Sequence, residues 1–218
     1  MGPGSMWSEL ACPWQACLEL AWEAYCDDCY PIGAVVTDPA GRILTRGRNR
    51  IYEMNSRHGR QPGNELAHAE LEALQAFPYG SADQHACSLY TTTEPCPMCM
   101  GTFYMSGLRT LYYGARDPWA GAVDLLGKTW YLGHKPIRVH GPQPPVMENL
   151  IWALFVEQDC RFHNGKLPDG AYYERLGGVL GEAIALGRRF WESGEIHSLR
   201  QRAATAGEMF ERLGSLVQ

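Results

Sequence analysis

Apolar residues recur at helical spacing over residues 8–25 (Leu10, Trp14, Cys17, Leu18, Ala21, Trp22, Tyr25), which predicts a first helix with one face on a core. Residues 32–37 are a short apolar run and predict a buried strand. Asp38-Pro39-Ala40-Gly41 is a turn sequence, and residues 42–49 return as the hairpin partner. Residues 51–63 are polar, carry glycines and a proline, and predict a loop. Helical spacing resumes over 66–77 (Leu66, Ala69, Ala73, Phe77) until Pro78 stops it. A strand is expected over 87–92. A helix follows from Cys96 to about Ser106 with Pro97 in its opening turn, and short strands are expected near 110–113 and 136–140. Strands alternating with helices predict an α/β fold of the three-layer α/β/α sandwich type.

Beyond residue 140 the pattern changes. Gly141-Pro142-Gln143-Pro144-Pro145 interrupts it, and 146–158, 171–191 and 195–215 are each compatible with an amphipathic helix. Residues 6–140 therefore read as one domain and 141–218 as a helical C-terminal extension. That extension is either an ordinary helical appendage or a lid or oligomerisation arm. Residues 1–5 read as a remnant of recombinant expression ahead of Met6. At 218 residues and 45% hydrophobic content, the chain is long enough to bury a full core. No apolar run reaches membrane-spanning length and no signal peptide is visible, so eight cysteines in this context point to a reducing, cytoplasmic setting rather than a disulfide framework.

The chemistry concentrates in His68-Ala69-Glu70 and, downstream, Pro95-Cys96-Pro97-Met98-Cys99. One imidazole and two thiolates can hold one zinc ion per subunit with its fourth position open, and two thiolates cancel the charge of the dication. Glu70 is not needed as a ligand and is left for proton transfer. Residues 68 and 70 are both expected in the first turn of the 66–77 helix. Two residues apart is roughly 200° around a helix, so they converge on one ion only if that turn abuts the two cysteines. Other readings are a redox-active C-x-x-C and a closed structural zinc with Cys87 or His85 as fourth ligand. Cys26-Asp27-Asp28-Cys29 is a second C-x-x-C, but no further histidine or cysteine pair lies nearby to complete a metal site, which favours packing or loop cysteines.

These motifs, with Pro31-Ile32-Gly33-Ala34-Val35-Val36, Gly47-Arg48-Asn49-Arg50, Thr93-Glu94 ahead of the cysteines, Tyr113-Gly114-Ala115-Arg116-Asp117 and Ala120-Gly121-Ala122, resemble the cytidine deaminase superfamily. The likeness is to its bacterial tRNA adenosine deaminase and guanine deaminase branch, from about residue 31 to 139. The resemblance implies a five-stranded mixed sheet with both motif helices on one face, catalytic Glu70, zinc ligands His68, Cys96 and Cys99, and a homodimer. It makes Asn49, Ala69, Glu94, Asp117 and Trp119 the substrate-binding candidates. Asn49 and Asp117 match pocket positions, although each also suits a turn. Glu94 suits the start of the next helix as a cap, and Trp119 either stacks on a base or belongs to the core. Trp119 stands where tRNA-editing members often carry lysine, and the C-terminal extension is much longer than theirs.

Charge bears on the substrate. The chain carries 19 Lys plus Arg against 24 Asp plus Glu, a net −5 that suits a polyanion binder poorly. Against this, Arg42, Arg46, Arg48, Arg50, Arg57 and Arg60 cluster, either as a solvated face or as contacts to a phosphate. The expected substrate is a free base or nucleoside. tRNA is the disfavoured alternative, no membrane partner is expected, and a catalytically silent zinc module is a further alternative that the intact Glu70 opposes.

Overall fold

The computed structural model describes residues 6–53, 63–78, 80, 82–168 and 170–216. Arg57 and Arg60, most of the predicted 51–63 loop and residues 1–5 lie outside them. A short helix α1 (Met6–Glu9) precedes α2 (Cys12–Cys26), in place of one helix from residue 8. Pro13 sits in the opening turn of α2, where its missing N–H goes unused. Strands β1 (Gly33–Thr37) and β2 (Ile43–Arg48) form the predicted hairpin. They are followed by α3 (Ala69–Gln75), β3 (Ser88–Thr93), α4 (Pro97–Ser106), β4 (Thr110–Ala115) and β5 (Arg138–His140). The strands order as β2-β1-β3-β4-β5, with β1 antiparallel to both neighbours and β3, β4 and β5 parallel. The five-stranded mixed sheet is thus as expected.

Side chains of successive strand residues leave opposite faces. In β1, Ala34 and Val36 join a core with Ala69, Ala73, Met100 and Phe103 of α3 and α4, while Val35 joins the opposite core with Cys17 and Leu18 of α2. Both motif helices therefore share one face of the sheet. The other face is covered by α2 together with α5 (Pro145–Phe162), whose Met147, Leu150, Ile151, Ala153, Leu154 and Val156 are completely buried. Helix α5 is buried nearly all round because α6 (Ala171–Ser193) lies on its outer side. The predicted 195–215 helix is two: α7 (Glu195–Gln201) and α8 (Ala206–Gly214). Ala203 at φ 52° breaks the chain, and a capping box of Thr205 and Glu208 starts α8 anew.

Candidate metal centre and active site

The sequence places His68 inside a helix; the structure places it one residue before α3, as the N-cap, with extended backbone (φ −81°, ψ 150°). Freed from helical periodicity, the imidazole turns toward α4 while Glu70, inside the first turn, stays buried at 2% exposure. Cys96 is likewise the N-cap of α4 and Cys99 lies in its first turn. Two helix starts therefore meet, and their exposed N–H groups favour thiolate. Close approach of α3 to β2 sets this up. A Cβ on Gly47 would sit 2.2 Å from the Ala69 carbonyl, and Thr45 Oγ1 donates to the Ala73 carbonyl at 2.8 Å.

His68 Nδ1 lies 3.6 Å from Cys96 Sγ and 3.5 Å from Cys99 Sγ. A tetrahedral ion with Zn–S about 2.3 Å and Zn–N about 2.0 Å requires N···S separations of about 3.6 Å, so these donors already stand at zinc spacing. Among the described residues, His68, Cys96 and Cys99 are the one group of three or more such side chains whose donor atoms lie within 4.8 Å of one another. Cys87 is buried in the core beneath α4, and Cys29 is buried beside α5; neither joins a metal cluster. Without a metal, hydrogen bonds from Cys99 and His68 pull the Cys96 thiol down to about 4, and Cys99, which holds the shared proton, is driven up. A hydrogen bond with Cys96 raises His68. Such a proton-sharing set is what a dication displaces on binding.

Glu70 Oε1 accepts from Thr91 Oγ1 of β3 at 2.9 Å, and Oε2 lies 3.4 Å from Cys99 Sγ. Burial raises its pKa, with the His68 charge and the Thr91 bond opposing. The sequence reading missed Thr91, although its place on β3 opposite α3 follows from strand alternation.

A cavity of about 550 Å³ opens over this cluster. Asn49, Glu94, Asp117 and Trp119 all line it; Ala69 does not, its methyl being packed in the core under α3. Asn49 is 1% exposed, its Oδ1 accepts from the Ile51 amide at 3.2 Å, and its Nδ2 has no partner. Thr93 Oγ1, also on the lining, is likewise buried and without a partner. Glu94 does not cap α4. Its carboxylate accepts from the amides of Asp117 and Val123 at 3.3 Å, and a Cβ on Gly121 would sit 2.5 Å from its Cδ. Asp117 Oδ1 accepts from the amides of Trp119 and Ala120 at 2.9 Å, while burial raises its pKa. Trp119 is not core: it is 53% exposed, edge-on to Tyr172 of α6 with ring centroids 5.5 Å apart. Sequence reasoning also missed the residues that the C-terminal helices contribute, among them Phe155, Asp159 and Phe162 of α5, then His163 and Tyr172.

Among the described residues, each arginine of the cluster is paired with a carboxylate. Arg48 is 4% exposed and pairs with Glu23, Asp27 and Glu53 at 3.1, 2.6 and 3.2 Å. Arg50 pairs with Glu53 and Glu72, Arg42 with Asp38 and Arg46 with Glu19. Among the described residues, no helix is long and apolar enough to cross a membrane.

Sheet order, paired motif helices and a His/Cys/Cys centre beside a buried glutamate define a zinc-binding deaminase fold, and the comparisons agree. Residues 11–115 match the cytidine and deoxycytidylate deaminase zinc-binding region, so this stretch carries that domain, with His68, Cys96 and Cys99 positioned to bind a metal ion. It is 37% identical over 158 residues to a tRNA(Ile)-lysidine synthase of Deinococcus deserti, covering 70% of this chain and 27% of that protein. It is 38% identical over 96 residues to a tRNA-specific adenosine deaminase of Agrobacterium fabrum, covering 43% of this chain and 57% of that one. The structure of guanine deaminase from Nitrosomonas europaea superposes with a TM-score of 0.52 at 26% identity, over 68% of this chain and 85% of that one. The chain thus spans about a quarter of the lysidine synthase and just over half of the adenosine deaminase.

Proposed function

We propose that the chain hydrolyses a ring amino group of a free nucleobase or nucleoside, exchanging C–NH2 for C=O and releasing ammonia. The observation that carries this is the aromatic-walled cavity over the zinc-spaced triad, with Glu70 buried beside it and the Asn49 Nδ2 and Thr93 Oγ1 groups unpaired within it. Such a concave site with a few convergent polar groups suits one small flat ligand.

Zinc, when bound, supplies a Lewis acid and makes water nucleophilic near neutral pH. Glu70 handles the protons. Thr91 fixes Oε1, and the carboxylate takes a proton from the attacking water and passes it to the ring nitrogen next to the reacting carbon. A second proton leaves on the amino nitrogen as ammonia. Asn49 Nδ2 donates to an acceptor on the ring, and the edge-on pair Trp119 and Tyr172 gives it an aromatic wall.

The second reading is a tRNA substrate, favoured by the likeness to proteins that act on tRNA. Against it stand the pairing of Arg42, Arg46, Arg48 and Arg50 with carboxylates and the walls that α5 and α6 build over the cavity. A silent zinc module has no use for a carboxylate held at 2% exposure beside the metal ligands. An ammonia-release screen of guanine, cytosine, adenine and their nucleosides, beside a minimal anticodon stem-loop, separates these readings. Ammonia from a small molecule is expected; inosine in the stem-loop with none from any small molecule overturns the proposal. A homodimer is also proposed, supported by the exposed apolar Met105, Leu125, Trp130 and Tyr131. Light scattering at micromolar protein is expected to give twice the chain mass, and a monomer contradicts it.

A further inference from the structure

Helix α5 sends four residues into the cavity: Trp152, Phe155, Asp159 and Phe162. Their 3-4-3 spacing is one face of a helix. Three are aromatic, so a carboxylate on the same stripe is out of place unless it has a task there. Asp159 Oδ2 accepts from Tyr173 Oη at 2.6 Å. Burial raises its pKa against the opposing effects of Tyr173 and His163.

Across the same cavity the polar groups are of fixed type. Asn49 Oδ1 is committed to the Ile51 N–H, which fixes the amide orientation and leaves Nδ2 as a buried donor without a partner. An ionised carboxylate only accepts. The carboxylates Glu70, Glu94, Asp117 and Asp159 all line the cavity, and among the described residues no lysine or arginine does.

We propose that Asp159 is a specificity-determining residue, which selects phosphate-free amino-heterocycles that offer an acceptor to Asn49 and an N–H or O–H donor to Asp159. This rests on the deaminase reading for the reaction but concerns binding alone. The donor comes either from a second N–H edge of the base or from a sugar hydroxyl. A phosphate is mostly a dianion at neutral pH, meets four carboxylates here and finds no lysine or arginine among the described lining residues to offset them. The resident His163 sits one helical turn beyond Asp159, on the same side of the cavity.

The test is calorimetric binding to the full zinc-loaded chain, using guanine, guanosine and guanosine 5′-monophosphate, and the corresponding adenine and cytosine sets. A base or nucleoside is expected to bind, with its monophosphate weaker by roughly tenfold or more. If the base binds as well as its nucleoside, the donor is on the ring; if only the nucleoside binds, it is on the sugar. Asp159→Asn is expected to weaken the preferred ligand by roughly tenfold and to narrow the gap to the monophosphate. Tyr173→Phe, which removes the supporting hydroxyl from outside the cavity lining, is expected to leave that gap in place. A monophosphate or a stem-loop binding as tightly as the nucleoside overturns the inference. So does an Asp159→Asn profile within about twofold of wild type, or no saturable binding by any of these compounds. Ammonia is assayed on the same samples. Binding in the expected order without ammonia sinks the deaminase reading alone, whereas turnover that prefers the monophosphate sinks this inference alone.

Discussion

At the level of single side chains, two of the three threonines of β3, Thr91 and Thr93, separate positioning from recognition. Thr91 Oγ1 touches Glu70 and not the cavity lining, whereas Thr93 Oγ1 reaches the lining and has no protein partner. Thr91→Val is therefore expected to lower kcat by about tenfold with KM little changed, since one neutral hydrogen bond to the proton carrier is lost. Thr93→Val is expected to raise KM with kcat little changed, and steady-state kinetics on the best substrate reads both. Equal effects of the two variants contradict the assignment. Gly47→Ala places a methyl on the Ala69 carbonyl and is expected to cost about 1–3 kcal/mol or more in urea unfolding, with weakened zinc retention. His68, Cys96 and Cys99 were legible in the chain because metal ligation restricts residue type as well as spacing. The N-cap conformation of His68 was not, because helical periodicity alone does not say where a helix begins, and here the difference of one residue resolves the apparent 200° separation from Glu70.

Among the elements, the strands and motif helices fall where their periodicity put them, within one to three residues. The C-terminal elements were less legible. The apolar run suggested a helix over 146–158, but α5 continues to Phe162 through Asp159-Cys160-Arg161, a tail whose polar residues hid one further turn. Asp159 was missed for that reason, although its spacing from Trp152, Phe155 and Phe162 was a signal. The arginines, expected either as a solvated face or as contacts to a phosphate, were only partly legible. Their carboxylate partners Glu19, Glu23 and Asp27 come from α2, and Glu72 from α3, which no local pattern reveals. The joint between β4 and α5 carries a pH prediction. Burial alone would raise Glu148, but hydrogen bonds and charge from Arg116, at 2.9 Å, hold it below the ordinary carboxylate range. A lowered folded-state pKa gives stability that is present above the unfolded value of about 4.3 and disappears as pH falls through the folded value. Arg116 is half-exposed, so Glu148→Gln is expected to cost no more than about 1 kcal/mol at neutral pH. Urea unfolding at stepped pH should show that difference shrinking below about pH 4. A difference that grows on acidification contradicts the sign.

For the whole molecule, what matters is that one cavity is bounded by two parts of the chain. Zinc ligands and Glu70 come from the sheet-facing helices, while aromatic wall and Asp159 come from α5. Helix α5 is also a core element, so Leu154→Ala, at a completely buried position, is expected to cost about 2–5 kcal/mol and to lower turnover together with thermal stability. The acidic balance of the molecule and the pairing of its described hairpin arginines both argue for a small uncharged substrate. The most direct measurement is ammonia release by the zinc-loaded chain and its Glu70→Gln variant over bases, nucleosides and an anticodon stem-loop, with zinc content determined on the same samples. Expected are about one zinc per chain in both proteins, ammonia from at least one small molecule with the wild type, and a loss of about 100-fold or more in the variant. Full activity in Glu70→Gln, a wild type without zinc after gentle purification, or inosine formed in the stem-loop with no ammonia from any base or nucleoside would contradict a small-molecule deaminase.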